Sequence, residues 1–356
     1  MRIALDATPL TVRTGGVFRY TTELTRAMAG LFPSDEIWLL SDQDFPNPAP
    51  EFKSVHCGRG PRNVIERRWW LWGLQGELSR LNIDVFHGTD FAVPYLRIRP
   101  TVMTVHDISP WLDPRWHSSA DRIRNRTPLL LRLGLATMIV CPSETVRRQV
   151  QERFRLRPDR VVAVPLAAPS SFRPSATKRP DTRYFLYVGT LEPRKNLQML
   201  ISCWRQVRRF VPVDLKLVGR KREDFPALNT EPGLEYLGPV PDEELPHLYS
   251  GALACVYPSH YEGFALPVLE AMQCGAAVIT SRDNAISETA GGAALQLASD
   301  DSQAWIEAMT SAASEPPWLE DLRRKGLRRA SEFSWTKTAT RMRDVYEEAI
   351  RRFRHV

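Results

Sequence analysis

The sequence predicts an α/β protein made of two Rossmann-like domains that face each other across a cleft. Three observations carry that expectation. Short apolar runs alternate with amphipathic stretches through the first half. A proline-rich stretch, AAPSSFRPSATKRPD over 167–181, breaks the pattern and reads as a linker. The alternation then restarts at once. Repeated β-α-β alternation builds a parallel sheet covered by helices. Two such units joined by a linker put a cleft at the carboxyl ends of the two sheets, where ligands tend to bind. A chain of 356 residues also suits two domains better than one core.

The elements follow in order. RIALDAT (2–8) is strand-like, and FRYTTELTRAMAGL (18–31) has helical spacing with Leu24, Met28 and Leu31 on one face. EIWLLSD (36–42) is a strand, and DVFHGT, TVMTVHD, TMIVCPS and VVAVPL follow at intervals. After the linker, RYFLYVG (183–189) is a strand, LQMLISCWRQV (197–207) a helix and VDLKLVG (213–219) a strand. LEYLGPV, LACVYPS and AAVITS are short strands, with VLEAM (268–272) on a helix between the last two.

Composition narrows the class. Hydrophobic residues make up 43% and charged residues 25%, as in folded soluble proteins. No apolar run approaches the length that spans a bilayer. MRIALDAT reads as a strand, so no signal peptide is expected. The five cysteines, Cys57, Cys141, Cys203, Cys255 and Cys274, are widely spaced without a CxxC pair. That disfavours a zinc knuckle or a redox pair and suits reduced thiols. The net charge of +7 is uneven: residues 1–178 hold 25 Lys and Arg against 17 Asp and Glu, the remainder 23 against 24. A basic half suits an anionic lipid surface, a phosphorylated substrate or nucleic acid, and also an ordinary solvated surface.

Four constellations carry chemistry. In YPSHYEGFALPVLEAMQCGAAVITS (257–281), Glu262 and Glu270 stand eight apart across a loop and a helix start. Pro267 suits the first turn, and free backbone N–H groups there favour an anion. Gly263 allows close approach of a ligand, and Glu270 on the helix can accept both hydroxyls of a ribose. In YVGTLEPRKNL (187–197), a strand ends at Gly189, and Arg194 and Lys195 open a helix. Two cations oppose the helix dipole there, and a bound diphosphate would give them a reason. The absence of Gly-Lys-Ser/Thr excludes a Walker loop. Thr14-Gly15-Gly16 forms a tight turn between first strand and first helix, without the GxGxxG of dinucleotide folds. In TVHDISP (104–110), His106 and Asp107 lie just past a buried strand, and His87 and Asp90 lie at a similar strand end. Asp42-Gln43-Asp44 matches the metal-binding DxD pattern but leads into Phe-Pro-Asn-Pro and reads as a surface turn.

These residues resemble the family 4 retaining glycosyltransferases of the GT-B fold. The resemblance runs through the Gly-Gly opening, HGTDFAVP, TVHDISP, CPSETVRRQV, GTLEPRKNL, PSHYEGFALPVLEAM and FSW. Its wording is similar to bacterial mannosyltransferases that build O-antigen or exopolysaccharide. The resemblance implies an N-terminal acceptor domain over 1–170 and a donor domain over 180–334. A final helix, 335–356, would cross back to the first. Glu262 would sit near the donor sugar and Glu270 on the ribose. Gly263, Phe264, Ala265 and Leu266 would face the donor through backbone amides. Arg194 and Lys195 would hold the diphosphate with Gly15, Gly16 and Gly189, and His106 would lie close to the hexose. EYLGPV (235–240) would line the base pocket. The family commonly has EGFGLP, and Ala265 stands here in place of its second glycine.

On that resemblance the donor is a nucleotide-sugar, GDP-mannose in the first place. No metal or other cofactor is expected, and the acceptor is a glycan or a polyprenyl-diphosphate-linked glycan. The expected place is cytoplasmic, peripheral at the inner face of the cell membrane. NVIERRWWLWGLQGEL (63–78) offers Trp and Arg for membrane contact, against the alternative of a core-facing helix. A UDP-sugar donor, or a GT-B epimerase that needs no acceptor, is an alternative. A phosphorylase lacks a persuasive pyridoxal lysine. No nucleic-acid partner is expected, because a basic nucleic-acid binder would leave Glu262 and Glu270 unexplained.

Overall fold

The computed structural model describes residues 1–12, 14–117, 120–175, 183–228 and 231–354. Residues 176–181 of the proline-rich stretch, and 355–356 of the expected final helix, lie outside the described residues. The chain divides into two compact units, Met1–Leu166 with Trp335–Val356, and Ala167–Ser334.

The first unit holds a parallel sheet of β1 (Arg2–Asp6), β2 (Glu36–Leu40), β3 (Val55–Cys57), β4 (Val85–Gly88), β5 (Thr101–Thr104), β6 (Met138–Cys141) and β7 (Val161–Ala163). Their order is β3-β2-β1-β4-β5-β6-β7, and each pairing is parallel. Every residue of β4, β5 and β6 is buried, as a parallel sheet covered on both faces requires. The connecting helices are α1 (Gly16–Leu31), α2 (Leu74–Arg80), α3 (Ser109–Leu112), α4 (Asp121–Arg132) and α5 (Glu144–Phe154). Strand order reverses between β1 and β4, so the loops leaving those strands diverge and open a crevice at their carboxyl ends.

The second unit repeats the plan with β8 (Tyr184–Val188), α6 (Leu197–Arg208), β9 (Asp214–Val218), β10 (Leu234–Gly238), α7 (Leu245–Gly251), β11 (Ala254–Tyr257), α8 (Leu266–Gln273), β12 (Val278–Ser281), α9 (Asn284–Ala290), β13 (Leu295–Leu297), α10 (Ser302–Ala313) and α11 (Pro317–Ala330). The order is β10-β9-β8-β11-β12-β13, and the reversal falls between β8 and β11. A last helix, α12 (Trp335–Arg354), belongs to the first unit and packs on α1. Trp335, Ala339, Met342, Tyr346 and Ala349 are its buried stripe, at three- and four-residue steps. Arg343 holds it further by donating to Asp35 (2.9 Å), which also takes the N-terminal ammonium of Met1 (2.5 Å).

Three features differ from the sequence expectation. The first domain, expected to reach residue 170, ends at Leu166. The start of the proline-rich stretch is not free linker: Ala167, Ala168 and Phe172 are buried, and the Gln273 amide donates to the carbonyls of Pro169 and Phe172 (both 2.7 Å). Apolar burial thus ties this stretch to the second unit. The strands β3 (Val-His-Cys) and β13 (Leu-Gln-Leu) are three residues long and broken by a polar residue, so neither makes an apolar run in sequence.

The tryptophan-rich segment is divided between core and surface. Trp69 joins Leu74, Leu78 and Phe86 in a core cluster, through a π-helical turn over Trp69–Gly73. Val64 (79% exposed), Ile65 (67%) and Trp72 (50%) remain outside. Asp42, Gln43 and Asp44 are exposed, and among the described residues no group of three or more His, Cys, Asp or Glu could hold a metal ion.

Candidate active site

The second unit builds its site at the reversal between β8 and β11. β8 delivers the chain to Gly189, and β9 delivers it to Gly219. A Cβ on Gly219 would lie 2.1 Å from the Gly189 carbonyl oxygen, so glycine is what lets the two strand ends pass. Tyr236 of β10 donates its hydroxyl to the Gly219 carbonyl (3.1 Å), which brings the EYLGPV strand to the same edge.

After Gly189 the chain makes a single 3-10 turn, Pro193–Lys195, and enters α6 through Asn196 in the left-handed conformation. This turn buries Arg194 and Lys195 to 8% and 6% exposure. Buried cations need partners. Lys195 Nζ donates to Glu262 Oε1 (2.5 Å) and to the Tyr257 hydroxyl (2.9 Å). Arg194 donates through Nη1 to the Tyr261 carbonyl (2.6 Å) and to Glu262 Oε2 (3.3 Å). Its Nη2 and Nε reach Glu192 Oε1 (2.8 and 3.2 Å). The other oxygen of Glu192 accepts from Arg222 Nη1 (3.0 Å). Tyr257 stacks on Tyr187, rings 5.6 Å apart, behind the lysine.

Burial alone would raise both carboxyls. For Glu192 the charges of Arg194, Lys195 and Arg222 outweigh it and hold the carboxyl at about 2. Glu262 is likewise held below the usual range, because Lys195 and Arg194 outweigh its burial. Both are therefore anions at neutral pH, and the cluster is a preformed set of fixed charges. An ammonium has three donors. Lys195 spends two on Glu262 and Tyr257, which leaves one N–H for an incoming anion.

Glu262 lies in the buried loop Tyr261–Ala265 that leads into α8. Thr289 pins this loop by donating its hydroxyl to the Phe264 carbonyl (2.5 Å). Ala265, the residue before α8, has φ 64° and ψ 54°, a left-handed conformation that suits glycine. This gives a physical reason for the glycine common at that place in the resembling family. Ala265→Gly is expected to stabilise the protein by about 1 kcal/mol, read as a rise of about 2–4 °C in Tm. An unchanged or lower Tm would show that the alanine conformation carries no strain.

Glu270 is fully buried one turn into α8 and takes the Tyr249 hydroxyl on Oε2 (3.0 Å). Asp283 caps α9, accepting from the amides of Ala285 and Ile286 (3.0 and 3.1 Å). Burial pushes its carboxyl up to about 6 against the Ile286 hydrogen bond, and the charge of Glu262 adds to the rise.

In the first unit, Gly15 (φ 98°) and Gly16 form the exposed turn that opens α1, with open space where a Cβ would stand. His106 follows β5, and its Nε2 donates to the Thr89 carbonyl (2.7 Å), with Tyr20 edge-on at 5.0 Å. His87 is a correction. It is fully buried, with Nδ1 on the Tyr346 hydroxyl (2.8 Å) and Nε2 on the Thr104 hydroxyl (2.7 Å). It joins α12 to the sheet and has no exposed edge for a ligand.

The structure therefore brings Arg194, Lys195 and Glu262 together. Sequence reading missed Glu192, Arg222, Tyr257 and Asp283. Glu192 carried a signal, because a carboxylate two residues before a buried arginine is its natural partner. Arg222 and Asp283 come from other loops and carried none.

Comparison with known proteins gives two family matches: "Glycosyltransferase Family 4" over residues 14–172 and "Glycosyl transferases group 1" over 170–329. The O-antigen chain mannosyltransferase B of Escherichia coli is 29% identical over 98% of this chain and 100% of its own length. Serotype-specific mannosyltransferase WbdA of Escherichia coli is 27% identical over 67% of this chain, which spans about a third (32%) of that protein. Among solved structures, sucrose-phosphate synthase of Thermosynechococcus elongatus aligns with a TM-score of 0.75 at 18% identity, over 98% of both chains. WaaG, a glycosyltransferase involved in lipopolysaccharide biosynthesis, aligns with a TM-score of 0.70 at 14% identity, over 97% of this chain and 99% of its own.

Proposed function

We propose, for a chain that belongs to the family 4 and group 1 glycosyltransferases of the GT-B fold, that it moves mannose from GDP-mannose to a lipid-linked glycan with retention of anomeric configuration. That it is a hexosyltransferase acting on glycan acceptors follows from its family and its mannosyltransferase relatives. The donor sugar, its base and the stereochemistry are the further step. The Arg194–Lys195–Glu262 cluster at the strand reversal of the second unit supports a site for the donor's diphosphate, and the mannosyltransferase relatives support mannose as the sugar.

Departure of the nucleotide diphosphate concentrates negative charge on its bridging oxygen. Lys195 is buried and oriented by Glu262 and Tyr257 before any ligand arrives, so its remaining N–H meets that charge without reorganisation. Glu192 fixes the Arg194 guanidinium from one side, and Glu262 and the Tyr261 carbonyl fix it from the other. The loop Gly263–Leu266 offers backbone amides to the donor and Gly189 a further contact; Glu270, expected on the ribose, is fully buried with the Tyr249 hydroxyl on Oε2. These cations would neutralise the diphosphate without a metal.

The test is calorimetric titration with GDP, UDP, ADP and TDP, with and without EDTA. GDP is expected to bind preferentially in either condition, and Arg194→Ala/Lys195→Ala to weaken it at least tenfold. Preference for UDP would move the donor to a UDP-sugar. Nucleotide binding indifferent to both substitutions would overturn the site.

The exposed Val64, Ile65 and Trp72 lie beside exposed Arg62, Arg67 and Arg68. We place a peripheral contact with anionic lipid there, since apolar side chains flanked by arginine suit the membrane interface. Among the described residues no helix is long and apolar enough to cross a membrane. Co-sedimentation with vesicles of phosphatidylglycerol is expected to fall at least fivefold in Val64→Ser/Ile65→Ser/Trp72→Ser. Equal sedimentation of that variant would remove the contact from this segment.

A further inference from the structure

Glu192 stands between two arginines from different loops, and the proposed chemistry uses only one of them. Its Oε1 accepts from Arg194 through Nε and Nη2 (3.2 and 2.8 Å), and its Oε2 accepts from Arg222 Nη1 (3.0 Å). Arg222 lies 30 residues beyond Glu192, in the loop that leaves β9. Its side chain is 16% exposed, and its Nη2 donates to Asp224.

The two arginines start from different supports. The β9 loop is held by its backbone. The Leu191 N–H donates to the Arg220 carbonyl (2.9 Å), and the Arg222 N–H donates to the Leu191 carbonyl (3.1 Å). Leu191 and Lys221 thereby form a parallel bridge beyond the ends of both strands. Phe225 is buried and closes the loop, with its N–H on the Arg222 carbonyl (3.2 Å). This register sets Glu192 opposite Arg222. Arg194, by contrast, extends from one short 3-10 turn, Pro193–Lys195.

The Glu192–Arg222 contact is not needed for neutrality. Without it each cation still has a carboxylate: Arg194 has Glu192, Lys195 has Glu262 and Arg222 has Asp224. Its effect is orientation. A glutamate carboxylate held through one oxygen can still turn about its last torsion, which has a broad range. Held through both oxygens, it turns only by breaking a charge-assisted hydrogen bond. The fixed carboxylate then fixes the guanidinium fork that meets its other oxygen. We infer that Arg222 is a positioning residue for the donor diphosphate, acting through Glu192 to keep the Arg194 guanidinium in one orientation. The inference rests on the nucleotide-sugar reading above and makes the β9 loop part of that site.

The experiment is calorimetric titration of the full chain with GDP and with UDP. Arg222→Met keeps the unbranched stem and leaves Glu192 paired with Arg194. It is expected to weaken the nucleotide that wild type prefers by about fivefold, and Arg222→Lys to recover part of the loss. Should Arg222→Met fail to fold, as read by Tm, Arg222→Gln carries the same comparison. The decisive measurement repeats the substitution in an Arg194→Lys background, where the charge remains but the fork to Glu192 is lost. There Arg222→Met is expected to change affinity by less than twofold. An undiminished fivefold loss in that background overturns the inference, because Arg222 would then act on the fold or directly on the ligand. Affinity of the single variant within twofold of wild type overturns it as well and leaves the transferase reading standing. Wild-type protein that binds neither nucleotide would remove that reading, and this inference with it.

Discussion

Lys195→Met is expected to lower kcat by about two to three orders of magnitude, the loss typical of removing one preorganised donor from a developing oxyanion. Methionine keeps the unbranched apolar stem of lysine as far as Cε, so packing against Tyr257 survives. The charge and its free N–H do not. Glu262 retains Arg194 as a partner through Nη1 (3.3 Å), so its carboxylate is not stranded. The fold should therefore hold, and a fall in Tm of only a few degrees is expected. Glu262→Gln is the harsher change for stability. It strips the shared counter-charge from two buried cations, and breaking a buried pair costs about 3–5 kcal/mol. Turnover at saturating donor, measured beside Tm for both variants, separates the two effects. Turnover of Lys195→Met within threefold of wild type would mean that this ammonium does not face the leaving group.

The sequence made the motif residues legible because they are local. GTLEPRKNL and EGFALPVLE each sit on one strand-to-helix turn, where spacing and residue type mark a break in ordinary patterning. What those turns do to each other was not legible. In sequence Arg194 and Lys195 read as two cations holding one diphosphate together. In the structure each is first a partner of Glu262, 68 and 67 residues away. The strand–helix alternation foretold both sheets, because buried parallel strands read as unbroken apolar runs. β3 and β13 escaped because Val-His-Cys and Leu-Gln-Leu are short and broken by a polar residue, whereas the equally short β7 sits in the apolar run VVAVPL. His87 misled because a strand-end histidine looks the same in sequence whether it meets substrate or a tyrosine 259 residues further on. Ala265 was visible as a departure, but its cost depends on a backbone angle that only the fold reveals.

The buried histidine leads to the second large effect, an acid response of the first unit set by two opposing groups. Burial, with the nearby charge of His106, lowers the His87 pKa from 6.5 to about 3. A histidine depressed in the folded state stabilises fully above its unfolded value and loses that contribution as pH falls. Between pH 7 and pH 5 the loss is about 2 kcal/mol. Asp6 works the other way. Its carboxyl is raised from 3.8 to about 6 by burial, so its charged form destabilises at pH 7. Acidification to pH 5 relieves about 1 kcal/mol of that, and Asp90, raised by burial, adds in the same direction. The wild-type protein should thus show a shallow response over this interval. His87→Gln keeps a donor and an acceptor for Tyr346 and Thr104 but cannot take a proton. Relative to wild type, it is expected to gain about 2 kcal/mol on going from pH 7 to pH 5, whatever it loses in packing at pH 7. Asp6→Asn should shift the opposite way, becoming more acid-sensitive. Urea unfolding of the three proteins at both pH values reads these differences directly. Parallel pH responses in wild type and His87→Gln would show that the imidazole does not stay neutral in the fold.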